Sequence, residues 1–198
     1  MASVTHRVPR PLNPVLSFAP ELLLSAQGIR AAVFDVDGVL TDGSLYIGEQ
    51  GEQFKAFNSL DGHGLKLLAQ GGITPVVITG RDSPAVRRRI ADLGIAHAIY
   101  GARDKLAAAA QVMDALQLDW DALAVMGDDW PDLPLMTRAA FACAPANAHA
   151  EVRAAAHHVT RATGGDGAAR ECCDLLLMAS GRYAELLMGH LTTLDHAP

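Results

Sequence analysis

Short apolar runs that alternate with helix-like stretches constrain this chain more than any other feature. Residues Ala31–Phe34, 73–78, 97–100, Leu123–Met126 and 139–142 are such runs. Between them, residues 61–70, 83–93, 103–116 and 133–138 read as helices. A strand covered on both faces is continuously apolar rather than alternating. Strands that alternate with helices build βαβ units. The expected fold is therefore α/β, a doubly wound parallel sheet. One stretch breaks the pattern. Residues 46–57 place Gly48 and Gly51 between two alternating segments, which predicts a β-hairpin inserted after the first strand. Residues 14–27 are expected to form a short helix ending near Gly28. Residues 1–13, with Arg7, Pro9, Arg10 and Pro11 and no periodicity, are expected to be a flexible arm. Residues 14–180 then form one domain, and residues 181–198 a C-terminal tail.

Composition narrows the class further. The chain has 198 residues, 50% of them hydrophobic and 19% charged, which suits a single substantial core. Its formal net charge is -6, so it has no general attraction for nucleic acid or anionic lipid, and neither is an expected partner. No uninterrupted apolar stretch reaches the ~20 residues of a spanning helix. Pro14, Pro20 and Glu21 interrupt the apolar patch near the N-terminus, so a signal peptide is not expected. The cysteines are Cys143, Cys172 and Cys173. This odd, sparse set argues against a disulfide framework and fits the cytoplasm. Cys172 and Cys173 read as small residues on a helix.

In an open α/β sheet, ligands bind beyond the carboxyl ends of the strands. Asp35 and Asp37 follow the first strand, and Thr79, Gly80 and Arg81 follow the second. Lys105 opens a helix, and Asp128 and Asp129 follow Met126. Asp35 and Asp37 are two residues apart and can point the same way from an extended backbone. Two carboxylates in one pocket repel each other and need a cation. Several oxygen ligands select Mg²⁺, and Asp128 can supply a further carboxylate. Asp129 and Asp132 are placed to orient water ligands of such a metal.

The remaining groups fit a phosphoryl transfer. A phosphate near carboxylates meets a repulsion of about 4 kcal/mol per charge pair at ~4 Å and an effective dielectric of ~20. Mg²⁺ and Lys105 offset that repulsion. Thr79 offers a hydroxyl, and Gly80 lets backbone N–H groups come close. Asp35 is the expected nucleophile. Asp37 is the expected acid that protonates the leaving oxygen and the base that then activates water; its backbone carbonyl is also expected on the metal.

Residues 35–43, Asp-Val-Asp-Gly-Val-Leu-Thr-Asp-Gly, together with Thr79-Gly80-Arg81, Lys105 and Gly127-Asp128-Asp129, resemble the four motifs of haloacid dehalogenase-like phosphatases. The resemblance covers about residues 30 to 180. Finer features resemble the 3-deoxy-D-manno-octulosonate 8-phosphate phosphatases. These are Val39-Leu40-Thr41-Asp42-Gly43, Phe57-Asn58 followed by Asp61-Gly62-His63-Gly64, and the segment from Gly164 to Glu171. The resemblance implies a Mg²⁺-dependent phosphatase for a small sugar-acid phosphate in lipopolysaccharide precursor synthesis. It also implies the absence of a large cap domain. A homotetramer would close each site with the hairpin and C-terminal segment of neighbouring subunits. The motif gaps agree with a capless enzyme, because about 40 residues separate Asp37 from Thr79 and about 20 separate Lys105 from Asp128.

One position departs from the family pattern. Ser59 and Leu60 stand where a basic residue between Asn58 and Asp61 would suit a sugar carboxylate. Arg81, Lys66, His63, Arg161 and Arg170 are the candidates to replace it, and Asn58 stays a candidate for substrate contact. The same departure leaves a nine-carbon sialic-type sugar phosphate open as the substrate. Two other classes remain. A phosphorylatable receiver would carry its aspartate after the third strand, where Tyr100-Gly101 stands. A non-catalytic partner subunit would not require the full set of Asp35, Asp37, Thr79, Lys105 and Asp128.

Overall fold

The structure is a computed structural model and describes residues 13–192. Residues 1–12 of the expected arm and 193–198 of the expected tail lie outside the described residues.

The core is a six-stranded sheet in the order β5-β4-β1-β6-β7-β8, with every pairing parallel. Its strands are β1 (Ala31–Phe34), β4 (Thr74–Ile78), β5 (His97–Ile99), β6 (Leu123–Met126), β7 (Phe141–Ala144) and β8 (His158–Val159). Strand β1 shows why these runs are continuously apolar. Ala32 and Phe34 enter one buried cluster, Ala31 and Val33 the other, and none is more than 3% exposed. On the first face lie α1 (Pro20–Ser25), α2 (Ser59–Gln70), α3 (Pro84–Leu93) and α7 (Ala168–Ala179). On the second lie α4 (Lys105–Leu116), α5 (Leu133–Met136) and α6 (Ala150–Ala155). Cys172 and Cys173 lie buried on α7.

The inserted hairpin is present as β2 (Tyr46–Gly48) and β3 (Gly51–Phe54), a separate antiparallel pair. Hairpin and α2 fill the chain between the first two strands of the sheet, so no cap domain stands there. Among the described residues, no helix is long and apolar enough to cross a membrane.

Several boundaries differ from expectation, for local reasons. The N-terminal helix starts only at Pro20, whose fixed φ suits the first helical position. The run at 139–142 begins its strand at Phe141, because the Arg138 and Ala139 N–H groups still bond to the Leu135 carbonyl and close α5. The stretch expected as a tail carries α8 (Tyr183–Thr192), with Tyr183 and Leu186 packed on the first cluster.

Candidate active site

The site lies at the carboxyl ends of β1, β4 and β6, in the crevice where the strand order reverses on either side of β1. A cavity of about 450 Å³ opens there, and Asp35, Asp37, Thr79, Lys105, Asp128 and Asp132 are among the residues lining it.

Asp35 leaves β1 with its N–H still bonded to the Met126 carbonyl. The chain then turns sharply, and the Val36 carbonyl accepts from the N–H groups of Val39, Leu40 and Thr41. Gly38 makes the turn possible with φ +88°, and a Cβ there would lie 2.0 Å from Asp128 Oδ2. On β6, the 3₁₀ turn Trp130–Asp132 folds Asp132 back to accept from the Asp128 N–H at 3.1 Å. Lys105, at the first turn of α4, places its Nζ 2.6 Å from Asp132 Oδ1 and 3.0 Å from Asp35 Oδ1. Asp35 Oδ1 is buried, with the Lys105 ammonium as its counter-charge.

Carboxylate oxygens of Asp35, Asp128 and Asp132 lie within 4.8 Å of one another. Burial, reinforced by Asp132, pushes Asp35 up to about 6 against the pull of Lys105. Burial, with Asp35 and Asp132 adding to it, pushes Asp128 up to about 7. Burial works against the Lys105 ammonium, but Asp35 and Asp132 overcome it and hold its pKa above the ordinary value. One ammonium thus faces three carboxylates. The residues fit a divalent cation with hard oxygen ligands.

That charge excess sets a pH dependence. Asp35 and Asp128 titrate above the ordinary 3.8, so between about pH 4 and 7 the folded protein holds protons that the unfolded chain has released. Their contribution to stability is present at low pH and is lost as pH rises through that window. Thermal unfolding in chelator should show a lower midpoint at about pH 7.5 than at about pH 5. Mg²⁺ should raise the midpoint more at the higher pH, because it binds the ionised carboxylates. A chelated protein that gains stability across this window would contradict the assignment.

The structure divides the candidate site residues into groups. Thr79 is buried at the end of β4, and Gly80 and Arg81 join it on the cavity. Asp37 lines the cavity too, but its carboxylate is not part of the trio. Its Oδ1 pairs with Lys55, and its Oδ2 lies 3.6 Å from Arg81 Nε. Asp132 takes the third place in the carboxylate cluster, and Asp129 lines the rim. Other candidates are occupied elsewhere. Asn58 caps α2, accepting from the Leu60 N–H at 2.7 Å. His63 sits against His190 with ring centroids 5.4 Å apart. Arg170 pairs with Asp174 at 2.8 Å. Arg161 and Arg170 line a separate cavity of about 490 Å³. Within one chain, Arg81 is therefore the candidate cation for a sugar carboxylate that reaches the acidic cavity.

The glycine-rich segment is anchored on its own chain. The Gly165 N–H donates to the Val39 carbonyl at 3.0 Å, and Gly164 donates to Asn147 Oδ1 at 2.9 Å. A Cβ at Gly164 would stand 1.7 Å from the Gly38 carbonyl oxygen. These glycines permit close backbone approach behind the Asp37 loop. Sequence reasoning missed Lys55. Its side chain is fully buried just beyond β3, between Asp37 and Glu52, with Glu52 Oε2 at 3.1 Å. No spacing rule ties a hairpin lysine to an aspartate 18 residues earlier.

Comparison with known proteins agrees with this geometry. The profile of the haloacid dehalogenase-like hydrolases matches residues 101–171. The chain is 41% identical over 167 residues to the 3-deoxy-D-manno-octulosonate 8-phosphate phosphatase of Salmonella typhimurium, covering 84% of this chain and 89% of that protein. The phosphatase of the same name from Moraxella catarrhalis, crystallised with magnesium ion, phosphate ion and KDO, superposes with a TM-score of 0.83 at 38% identity. That match covers 86% of this chain and 98% of the other. The cobalt-bound phosphatase from Haemophilus influenzae superposes with a TM-score of 0.78 at 40% identity, covering 80% and 93% of the two chains. With the acidic cavity at the sheet's switch point and relatives of this identity along most of its length, the chain belongs to the haloacid dehalogenase-like hydrolases, in their 3-deoxy-D-manno-octulosonate 8-phosphate phosphatase family.

Proposed function

We propose that this chain is a Mg²⁺-dependent phosphatase that hydrolyses 3-deoxy-D-manno-octulosonate 8-phosphate to 3-deoxy-D-manno-octulosonate and phosphate, in lipopolysaccharide precursor synthesis. Residues 14–180 are the catalytic domain. The observation that carries the reading is the trio of Asp35, Asp128 and Asp132 facing Lys105 in one cavity with Thr79.

Asp35, Asp128 and the Asp37 backbone carbonyl would hold the metal, and Asp129 and Asp132 would orient water bound to it. When bound, Mg²⁺ neutralises the carboxylates and withdraws charge from the phosphoryl oxygens. Thr79, the Gly80 backbone and Lys105 hold those oxygens. Asp35 attacks phosphorus, and the bond from phosphorus to the leaving oxygen breaks. That oxygen keeps the electron pair and takes a proton from Asp37. Asp37, now a carboxylate, removes a proton from water as its oxygen attacks phosphorus, which frees Asp35 and restores the acid.

The small charged substrate needs walls that one capless chain lacks. The hairpin leaves Ile47 63% and Phe54 56% exposed, and Tyr46 stacks on Phe54 with centroids 4.4 Å apart. This face supports a homotetramer in which the hairpin and C-terminal region of neighbours border each site and bring Arg161 or Arg170 toward the substrate. The acidic balance and reduced cysteines support work in the cytoplasm, apart from nucleic acid and membrane.

The test compares eight- and nine-carbon sugar-acid phosphates with Mg²⁺, and the eight-carbon substrate is expected to give the higher kcat/KM. Arg81→Ala, Arg161→Ala and Arg170→Ala are assayed separately. Losing a charged hydrogen bond of about 1.5–3 kcal/mol lowers kcat/KM by about 10- to 100-fold. The residue that meets the carboxylate shows this loss through KM for the sugar acid, with little change for an aryl phosphate. A preference for the nine-carbon substrate would move the assignment to the sialic-type sugars. A fully active monomer would defeat the shared site.

A further inference from the structure

The hairpin lysine has no part in the proposed reaction so far, and its placement is costly. Lys55 carries an ammonium with no side-chain exposure, which is unfavourable unless the charge is paired. It lies beyond the end of β3, so the hairpin's own ladder does not need it. Its partners are Asp37 Oδ1 on one side and Glu52 Oε2, at 3.1 Å, on the other. We infer that Lys55 is a positioning residue for Asp37, holding one carboxylate oxygen so that the other presents the proton to the leaving oxygen.

The two oxygens of Asp37 are treated differently. Oδ1 is committed to a buried cation that Glu52 holds from behind. Oδ2 lies 3.6 Å from Arg81 Nε, beyond hydrogen-bond reach, and Arg81 is half exposed. The Lys55 contact at Oδ1 fixes the torsion of the side chain, so that the proton of the acid form sits on Oδ2. As the phosphorus–oxygen bond breaks, the departing oxygen keeps the bonding pair and takes that proton, while an Asp35 oxygen forms the new bond to phosphorus. Asp37 is left as a carboxylate beside the Lys55 ammonium. Acid catalysis requires reach before anything else, and a misplaced acid loses its advantage even at full occupancy. The hairpin thus connects to the proton-transfer step through one side chain.

The inference rests on the proposed role of Asp37, and the experiment separates the two. Single-turnover rates with Mg²⁺ are measured for 2,4-dinitrophenyl phosphate, phenyl phosphate and the sugar-acid phosphate. A good leaving group departs without a proton, and a poor one does not. Lys55→Met should slow phenyl phosphate and the sugar phosphate by about 10- to 100-fold, and dinitrophenyl phosphate by less than about threefold. Lys55→Arg, which keeps the charge, should recover most of the loss. Asp37→Asn should give the same ranking of substrates with a larger effect. Equal slowing of all substrates by Lys55→Met would reduce Lys55 to a structural tie and overturn the inference. A flat substrate dependence in Asp37→Asn would instead overturn the acid role of Asp37. Should Lys55→Met fail to fold, Lys55→Gln fills the same space with a polar amide and is held to the same ranking.

Discussion

Asp35→Asn is expected to fold normally and to lose turnover by on the order of 10⁴-fold or more, the scale seen when a covalent nucleophile is removed. The substitution keeps the shape of the side chain. It leaves intact the backbone bond from the Asp35 N–H to the Met126 carbonyl, so β1 and the turn after it persist. What it removes is an anionic oxygen able to bond phosphorus. It also removes one of three crowded negative charges. Burial and Asp132 already hold Asp35 up to about 6, so ionising it by neutral pH costs the folded protein stability that an ordinary carboxylate would not. Without metal, the variant should therefore unfold at a temperature no lower than the parent, while binding Mg²⁺ more weakly. Circular dichroism melts in chelator and steady-state phosphate release check both halves. A folded variant with near-parental turnover would remove Asp35 from the mechanism.

Lys105→Met should produce the largest loss of stability together with a large loss of rate. Methionine fills the space of the lysine stem but supplies no charge. Lys105 is 7% exposed and contacts Asp132 at 2.6 Å and Asp35 at 3.0 Å. Removing one partner of a buried ion pair costs about 3–5 kcal/mol, because the other charge stays buried. Here two partners are stranded, with Asp128 beside them. Excess Mg²⁺ should return part of the stability by taking up the same charges. Lowering the pH to about 5 should also narrow the gap, since Asp128, at about 7, and Asp35, at about 6, then carry protons. Turnover with saturating Mg²⁺ should fall by about 10²- to 10³-fold, the usual consequence of losing one donor to a charged transition state. Equal stability of variant and parent in chelator at about pH 7.5 would contradict this picture of the cluster.

The sheet was legible because each strand is buried on two faces. Ala31–Phe34 feeds both clusters, so no polar residue interrupts it, and the first polar residue marks the strand's end. The catalytic candidates were legible for the same reason, since function gathers where such strands stop. The carboxylate trio was only partly legible. Asp132 joins Asp35 and Asp128 because a single 3₁₀ turn folds it under the Asp128 N–H, a tertiary detail that spacing does not encode. Asp37 stays apart because a hairpin lysine claims it. Gly164 and Gly165 lie against the backbone of residues 38–42, a contact between distant segments that no local spacing encodes. His63 and Arg170 read as possible ligands; within one chain His63 lies edge-on to His190 of α8, and Arg170 pairs with Asp174 one turn along α7.

In the proposed reaction, phosphate passes through a covalent bond to Asp35 in a Mg²⁺-dependent hydrolysis. Acid quenching during turnover of 3-deoxy-D-manno-octulosonate 8-phosphate, followed by reduction with labelled borohydride, converts an aspartyl-phosphate to homoserine and marks its position. The label is expected at residue 35, present with Mg²⁺ and absent with chelator. Label on another residue, or steady release of phosphate with no label anywhere, would contradict the account.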